Sequence, residues 1–405
     1  MTLHPLPDEG VTAPWGFSAS GITAGLKASG KPDLAVVVAD QLVAAAAVLT
    51  TNQVRAAPVR ITTEHLVATG GHARAVVLNA GSANVCCGPD GIALARRAAA
   101  TAAEALDCAV EEVLLCSTGV IGVPLDEETY VRGVVKALAA VSSSGGADAA
   151  HAIMTTDLVA KQAAVHVTDE EGGSITIGGM CKGSGMIAPG MATMLCVVTT
   201  DASLKPEVAH GMLSRAVEQT FNRVSVDGVM STNDTVILLA SGSAATPPSG
   251  PDIEAGLVAV LDDLATQMVR DGEGATRLAR IHVTGAESPQ DALAVARRVA
   301  TDNLVKTAIA GGDPNWGRII AAVGASPIPI DPDLIAISVG ATGGEPVQVC
   351  LDGMHTEFDR SEAEAAMATD EVDITIDLGL GDAQASFLTC DLTHGYITIN
   401  AEYTT

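Results

Sequence analysis

Short apolar runs alternate with longer amphipathic stretches along the whole chain. Residues 35–40, 75–79 and 113–116 are brief runs of Ala, Val and Leu that end in, or lead into, Asp, Asn or Ser, as buried strands do. Residues 92–106 are Ala-rich with Arg96 and Arg97 on one side, which predicts a helix. Lys205-Pro206-Glu207 opens a second helix, because proline suits a first helical turn and an acid favours its positive end. Its apolar positions Val208, Met212, Leu213, Ala216 and Val217 are expected on one face. The pattern recurs at 253–269 and 289–300, and further strands are predicted at 194–200, 235–240, 281–284, 335–339, 347–351, 372–377 and 396–400. The class is α/β or α+β. Residues 142–147 (SSSGGA) and 246–251 (TPPSGP) read as surface loops or linkers. The 405 residues suit two or three folding units, or one large one.

Composition narrows the function more than the fold. Apolar residues make up 48% of the chain, too many for disorder, yet aromatics are only 2%. The core must therefore come from Ala, Val, Leu, Ile and Gly, whose small side chains let backbones approach closely. Lys plus Arg is 22 against 48 for Asp plus Glu, a net charge of −26. Phosphate would repel such a surface, which argues against nucleic acid and against anionic membranes as partners. The opening MTLHPLPDEG lacks the basic start and apolar run of a secretory signal. The longest apolar stretch, 34–49, is broken by Asp40 and Gln41 and falls short of the ~20 residues of a membrane span. Eight cysteines without a CxxC pair read as reduced thiols of a cytoplasmic protein. Nine histidines form no HxxxH or HExxH pair, so no metal site is expected. In GGMCKGSG at 178–185, Lys182 precedes Gly183 and Ser184, the wrong order for a phosphate loop, and no nucleotide cofactor is expected.

The most informative stretch is 182–200, KGSGMIAPGMATMLCVVTT, a Gly-rich loop that becomes a strand with Thr193 at the junction. On pattern alone it is a tight connection between two strands. The sharper reading makes Thr193 a nucleophile. A Thr hydroxyl needs an adjacent base, and one economical base is the residue's own α-amino group, with an ordinary pKa of about 7.7–8.0. That requires cleavage of the Ala192–Thr193 bond, which strain in the loop could promote by holding the Ala192 carbonyl against the Thr193 hydroxyl.

KGSGMIAPGMATML closely resembles the autoprocessing segment of the bifunctional glutamate/ornithine N-acetyltransferases of arginine biosynthesis. The resemblance runs the length of the chain, in order. It includes NAGSAN at 79–84, STGVIG at 117–122, MTTD at 154–157, VDG at 226–228 and STNDT at 231–235. GEGAT at 272–276, DPNWGR at 313–318 and NAEYTT at 400–405 complete it.

The resemblance implies a layered α/β sandwich of two mixed sheets flanked by helices, of the self-cleaving N-terminal-nucleophile type. It implies a cut between Ala192 and Thr193, giving fragments 1–192 and 193–405 that stay together in an α2β2 heterotetramer. Acetyl would pass from N2-acetylornithine to Thr193 and then to glutamate, and acetyl-CoA is left open as a further donor. Thr118 and Gly119 would stabilise the oxyanion. Thr156, Lys182, Thr193, Glu273, Asn400 and Thr405 would contact substrate. Read as residues alone, each has an ordinary alternative. Thr118-Gly119 is a strand end with a turn, and Lys182 is a solvated cation. Thr156 is a cap beside Asp157, and Glu273 is a loop acid. Asn400 is a strand end, and Thr405 is a chain terminus. Two rival functions stay open at this point, an N-terminal-nucleophile aminopeptidase on a similar fold and a non-catalytic binding protein for amino acids.

Overall fold

One 16-residue strand, Leu34–Leu49, organises the first of two units in the computed structural model, which describes residues 1–188 and 194–402. Residues 1–222 and 229–268 form this unit; residues 223–228 and the chain from Val269 onward form the other. The strands of the first unit are β1 (Thr2–Pro5), β2 (Phe17–Ile22), β3 (Leu34–Leu49), β4 (His72–Ser82), β5 (Val113–Val120), β6 (Lys161–Thr168), β7 (Ser174–Lys182) and β8 (Leu195–Thr200). After β9 (Val224–Ser225), which belongs to the second unit, β10 (Thr235–Ala240) completes the set. They lie in the order β1-β6-β7-β8-β10-β3-β4-β5, with β2 paired to β3. The β8–β10 and β4–β5 pairs are parallel and the others antiparallel.

Successive residues of a strand face opposite sides, and β3 is buried on both. Leu34, Val36 and Val38 pack with α1 (Ala57–Ala68), α2 (Gly88–Leu106) and α3 (Glu127–Ala139). Ala35, Val37 and Ala39 pack on the other side with α4 (Gly146–Ala152), Met180 and Val197. Ala95, Ala98, Ala99, Ala102 and Ala103 form the buried stripe of α2, so helix and sheet meet through methyl groups, as the scarcity of aromatics requires. Two more helices, α5 (Pro206–Gln219) and α6 (Gly250–Arg270), follow.

The second unit holds a sheet of β11 (Leu278–Ala286), β12 (Ala336–Ala341), β13 (Val347–Leu351), β14 (Met354–His355), β15 (Glu371–Asp377) and β16 (Ala383–Cys390), in the order β14-β13-β12-β15-β11-β16-β9. Its helices are α7 (Pro289–Ala300), α8 (Asn303–Gly311), α9 (Trp316–Gly324), α10 (Arg360–Met367) and α11 (His394–Glu402). Val295, Ala296 and Val299 of α7 pack with Ile281 and Val283 of β11. Two mixed sheets with helices, one in each unit, bear out the expected class.

Three expectations need correction. Residues 396–400 are helical, within α11, not a strand. The alternation Tyr-Ile-Thr-Ile-Asn mimics strand periodicity, but Ile397 is 63% exposed and Thr398 Oγ1 donates back to the His394 carbonyl at 3.1 Å. The intrinsic cost of β-branched residues in a helix is a few tenths of a kcal/mol, easily overridden by docking. Residues 142–144 are the expected surface turn, but the segment is not a free linker, since Ser142 bridges Ala19 and the buried Gly145 and Gly146 lead into α4. Val208 is 44% exposed, because the buried stripe of α5 runs through Ala209, Met212, Leu213, Ala216 and Val217 and leaves it at the edge.

Core and edge are expected to respond differently. Leu114→Ala, at a fully buried site, should lower unfolding free energy by about 2–5 kcal/mol, whereas Val208→Ala should stay within about 0.5 kcal/mol of wild type in the same denaturant titration.

Candidate active site

A carboxylate cannot be buried alone without a large desolvation cost, so it gathers cations and N–H donors around it. In the first unit Asp157, on the loop before β6, does this. Its Oδ1 accepts from Lys161 Nζ at 2.8 Å and from the Gly183 N–H at 2.7 Å. Oδ2 accepts from the Thr155 N–H at 2.9 Å and lies 4.0 Å from Lys182 Nζ. Burial pushes the Asp157 carboxyl upward, but Lys182, Lys161 and the bonds from Lys161 and Thr155 outweigh it and hold it below the usual carboxylate range. One carboxylate thus joins the start of β6 to the end of β7.

From the end of β7, Lys182 Nζ donates to Thr118 Oγ1 at 3.3 Å, and both side chains are buried. A hydroxyl that accepts from a lysine keeps its own hydrogen to give. Thr118 and Gly119 lie near the end of β5, in parallel register with Ala80 and Gly81 of β4. Gly119 has φ +129°, and a Cβ there would fall 2.3 Å from the Gly81 carbonyl carbon, so only glycine fits. Thr156 Oγ1 meets Ser184 Oγ at 2.8 Å, tying the Asp157 loop to the loop after β7. The first unit therefore gathers Thr118, Gly119, Thr156 and Lys182 at adjoining strand ends.

Several residues of this site escaped sequence reasoning. Lys161 and, in the second unit, Lys306 are both buried, where a lysine is ordinarily solvated. Lys306 Nζ donates to Thr389 Oγ1 at 2.9 Å and to the Cys390 carbonyl, a structural role within the second unit. The signal for Lys161 was its place four residues after Asp157, at the head of a strand. Lys27 donates to the Met154 carbonyl at 2.7 Å; burial lowers its pKa to about 8, opposed by Asp33 and assisted by Lys182. Asn79 accepts from Ser117 Oγ at 2.5 Å, which fixes the backbone just ahead of Thr118. Asn233 and Asp234, in the loop before β10, bind the main chain of Ser117 and Met194.

In the second unit Glu273, largely buried, accepts from Asn400 Nδ2 at 2.8 Å. The two meet because α11 docks on the 272–274 turn. Gly274 has φ +70°, and a Cβ there would lie 2.2 Å from the Tyr396 nitrogen. Tyr396 Oη donates to Asp227 Oδ2 at 3.2 Å. The 313–318 motif caps a helix: the Asn315 side chain accepts from the Arg318 N–H, and Trp316 stacks on His355. Ala192, Thr193 and Thr405 lie outside the described residues. Among the described residues no cluster of three or more His, Cys, Asp or Glu is placed to hold a metal ion.

A family model described as the ArgJ family matches residues 18–405. The chain is 47% identical, over 99% of its length and 98% of the relative's, to the arginine biosynthesis bifunctional protein ArgJ of Mycobacterium tuberculosis. Its counterpart in Parasynechococcus marenigrum is 45% identical over 98% of this chain and 95% of the relative. Among solved structures, an ornithine acetyltransferase complexed with ornithine from Mycobacterium tuberculosis is 42% identical, covering 48% of this chain and 100% of that one, with a TM-score of 0.43. An arginine biosynthesis bifunctional protein ArgJ from Bacillus halodurans is 39% identical, covering 51% of this chain and 97% of that one, with a TM-score of 0.47.

The Asp157 cluster has a measurable signature. Asp157→Asn leaves the Lys161 cation buried without its carboxylate and should cost about 3–5 kcal/mol. The double variant Asp157→Asn/Lys161→Met should recover most of that loss in chemical denaturation. The folded pKa of Asp157 lies below that of an unfolded Asp. Its stabilisation is therefore complete above about pH 4 and is lost as pH falls through the lowered folded value. The double variant should lack that acid limb.

Proposed function

Because the chain belongs to the ArgJ family, we infer that it transfers acetyl from N2-acetylornithine to glutamate. It is an acetyltransferase of arginine biosynthesis, and the whole-length matches favour neither the peptidase nor the non-catalytic binding protein weighed from sequence.

We propose the following chemistry. The Thr193 hydroxyl attacks the Ala192 carbonyl, the peptide bond gives way to an ester, and water hydrolyses the ester, leaving a carboxylate on Ala192 and a free amine on Thr193. That amine takes the Thr193 hydroxyl proton as the hydroxyl attacks the acetyl carbon of acetylornithine. The C–N bond breaks, and ornithine leaves with the proton. The glutamate amine then attacks the acetyl ester and returns the hydroxyl to Thr193. An amide is exchanged for an ester and then for an amide, so no energy-rich cofactor is needed; acetyl-CoA enters, where it is used, as a donor substrate.

The observation that carries this reading is the buried contact between Lys182 Nζ and Thr118 Oγ1. It sets a cation and a hydroxyl donor at one point, within reach of the strand ends β5 and β7. The Thr118 hydroxyl and Gly119 N–H stabilise the tetrahedral oxyanion, and Lys182, with Thr156 beside it, receives a substrate carboxylate. Glu273, held by Asn400, pairs with a substrate ammonium. Thr405 is a further proposed substrate contact. The sheet also suits a cut: β7 and β8, on either side of 183–194, are hydrogen-bonded antiparallel neighbours, with Lys182 opposite Leu195. Fragments 1–192 and 193–405 would stay joined by that ladder, and we place the resulting α2β2 heterotetramer in the cytoplasm. Among the described residues no helix is long and apolar enough to cross a membrane.

A denaturing gel of the purified protein should show two bands near half mass. Thr193→Ala should show one full-length band and no transfer; a variant that still splits would remove Thr193 from its role. Thr118→Val should keep both bands and lose about 100-fold in kcat, the usual cost of one oxyanion donor. With labelled acetyl-CoA and glutamate, labelled N-acetylglutamate is expected; none would restrict the enzyme to recycling acetyl from acetylornithine.

A further inference from the structure

Met194, one residue ahead of β8, is held at both of its main-chain groups. Its carbonyl accepts from the Thr235 N–H at 3.0 Å, extending the parallel ladder in which Leu195 faces Thr235. Its N–H donates to a side chain instead, Asp234 Oδ1, at 3.1 Å. Asp234 is fully buried, and its Oδ2 accepts from the Ser231 N–H at 3.2 Å, which fixes the shape of its own loop. Thr50, just past the end of β3, closes that loop by donating from Oγ1 to the Ser231 carbonyl at 2.7 Å. Next in sequence, Asn233 Nδ2 donates to the carbonyls of Ala83 and Ser117 at 2.6 and 2.8 Å. The segment 231–235 thus binds both the head of β8 and the strand that carries Thr118.

We propose that Asp234 is a positioning residue, whose carboxyl oxygen fixes the Met194 amide and through it the point of attachment of residue 193. The proposal rests on the reading of Thr193 as nucleophile and deepens it. A cut at 192–193 turns residue 193 into a chain end, and chain ends fray unless they are tied down. A reacting group must be held to within about 0.5 Å. Once the Thr193 nitrogen has become an amine, the Met194 N–H is the first amide of the new chain. It is therefore the nearest main-chain hydrogen on which a tie can act. The Thr235 bond secures the far side of Met194, and Asp234 secures the near side.

The role needs an acceptor oxygen, not a negative charge. Burial pushes the Asp234 carboxyl well above its ordinary range, against the pull of the Met194 and Ser231 N–H groups and of Lys182. A carboxamide keeps one carbonyl oxygen for Met194 but turns its NH2 toward the Ser231 N–H, so it preserves the tie while loosening the loop that carries it.

The test uses the full chain. Asp234→Asn, which keeps the Met194 acceptor but loses the one for Ser231, should lose no more than about tenfold in either step. Asp234→Ala should lose about 100-fold, in cleavage or in the kcat of the cleaved protein, with KM for both substrates held within about threefold. Asp234→Ala at wild-type rates in both steps, or Asp234→Asn falling as far as Asp234→Ala, would overturn the proposal. Thr193→Ala in parallel separates the two claims. An active Thr193→Ala sinks the nucleophile, whereas an inactive one beside a fully active Asp234→Ala sinks only the tie. If Asp234→Ala does not fold, amide exchange in the wild-type protein decides. A Met194 amide as protected as those of Leu195–Thr200 supports the tie; exchange at the rate of an unstructured end refutes it.

Discussion

The buried carboxylate of Asp157 is the constraint around which the first unit's site is arranged. A charge at that depth is tolerable only with close partners, and it takes two lysines and two main-chain N–H groups to satisfy it. Those partners lie on three separate segments, so satisfying the charge fixes the loop before β6, the head of β6 and the end of β7 against one another. Two cations around one carboxylate also make this cluster positive, within a chain whose net charge is −26. Such a local excess of positive charge is what the proposed binding of a substrate carboxylate by Lys182 would use.

The sheet supplies rigidity of a different kind. Alanine and valine on both faces of β3 bring helices close, and the glycine pair at the ends of β4 and β5 lets two backbones approach where a side chain would collide. Thr118 therefore stands on a strand end with few ways to move. Asn79, Ser117 and Asn233 hold the same strand end through hydrogen bonds. Site geometry built on strand ends is more exact than geometry built on loops alone.

Much of this was legible in the sequence because it depends on local pattern. The strands at 35–40, 75–79, 113–116 and 235–240 and the helices at 92–106 and 289–300 announce themselves by period and by flanking residues. What was illegible depends on distant partners. Residues 396–400 alternate like a strand, yet their place is set by the Gly274 turn, more than a hundred positions upstream. Lys161 looks like any solvated lysine until the fold sets Asp157 and the Val159 carbonyl against it. Thr118, Gly119, Thr156 and Lys182 stood out only through family resemblance, since nothing in their spacing says that β5 and β7 end near one another. Asn233 and Asp234 stood out only as part of the STNDT motif at 231–235, with no role attached to either.

The antiparallel pairing of β7 with β8 across residues 183–194 has a consequence for the life history of the molecule. The cut proposed at 192–193 would cost the native state little, since the ladder that pairs Lys182 with Leu195 needs no covalent link between the two strands. The disordered ensemble would change far more, because one chain would become two that can drift apart. Refolding would then be a bimolecular encounter that slows with dilution, whereas the first folding, from the intact polypeptide, would not. An enzyme so cut would assemble easily in one direction only, from the single chain.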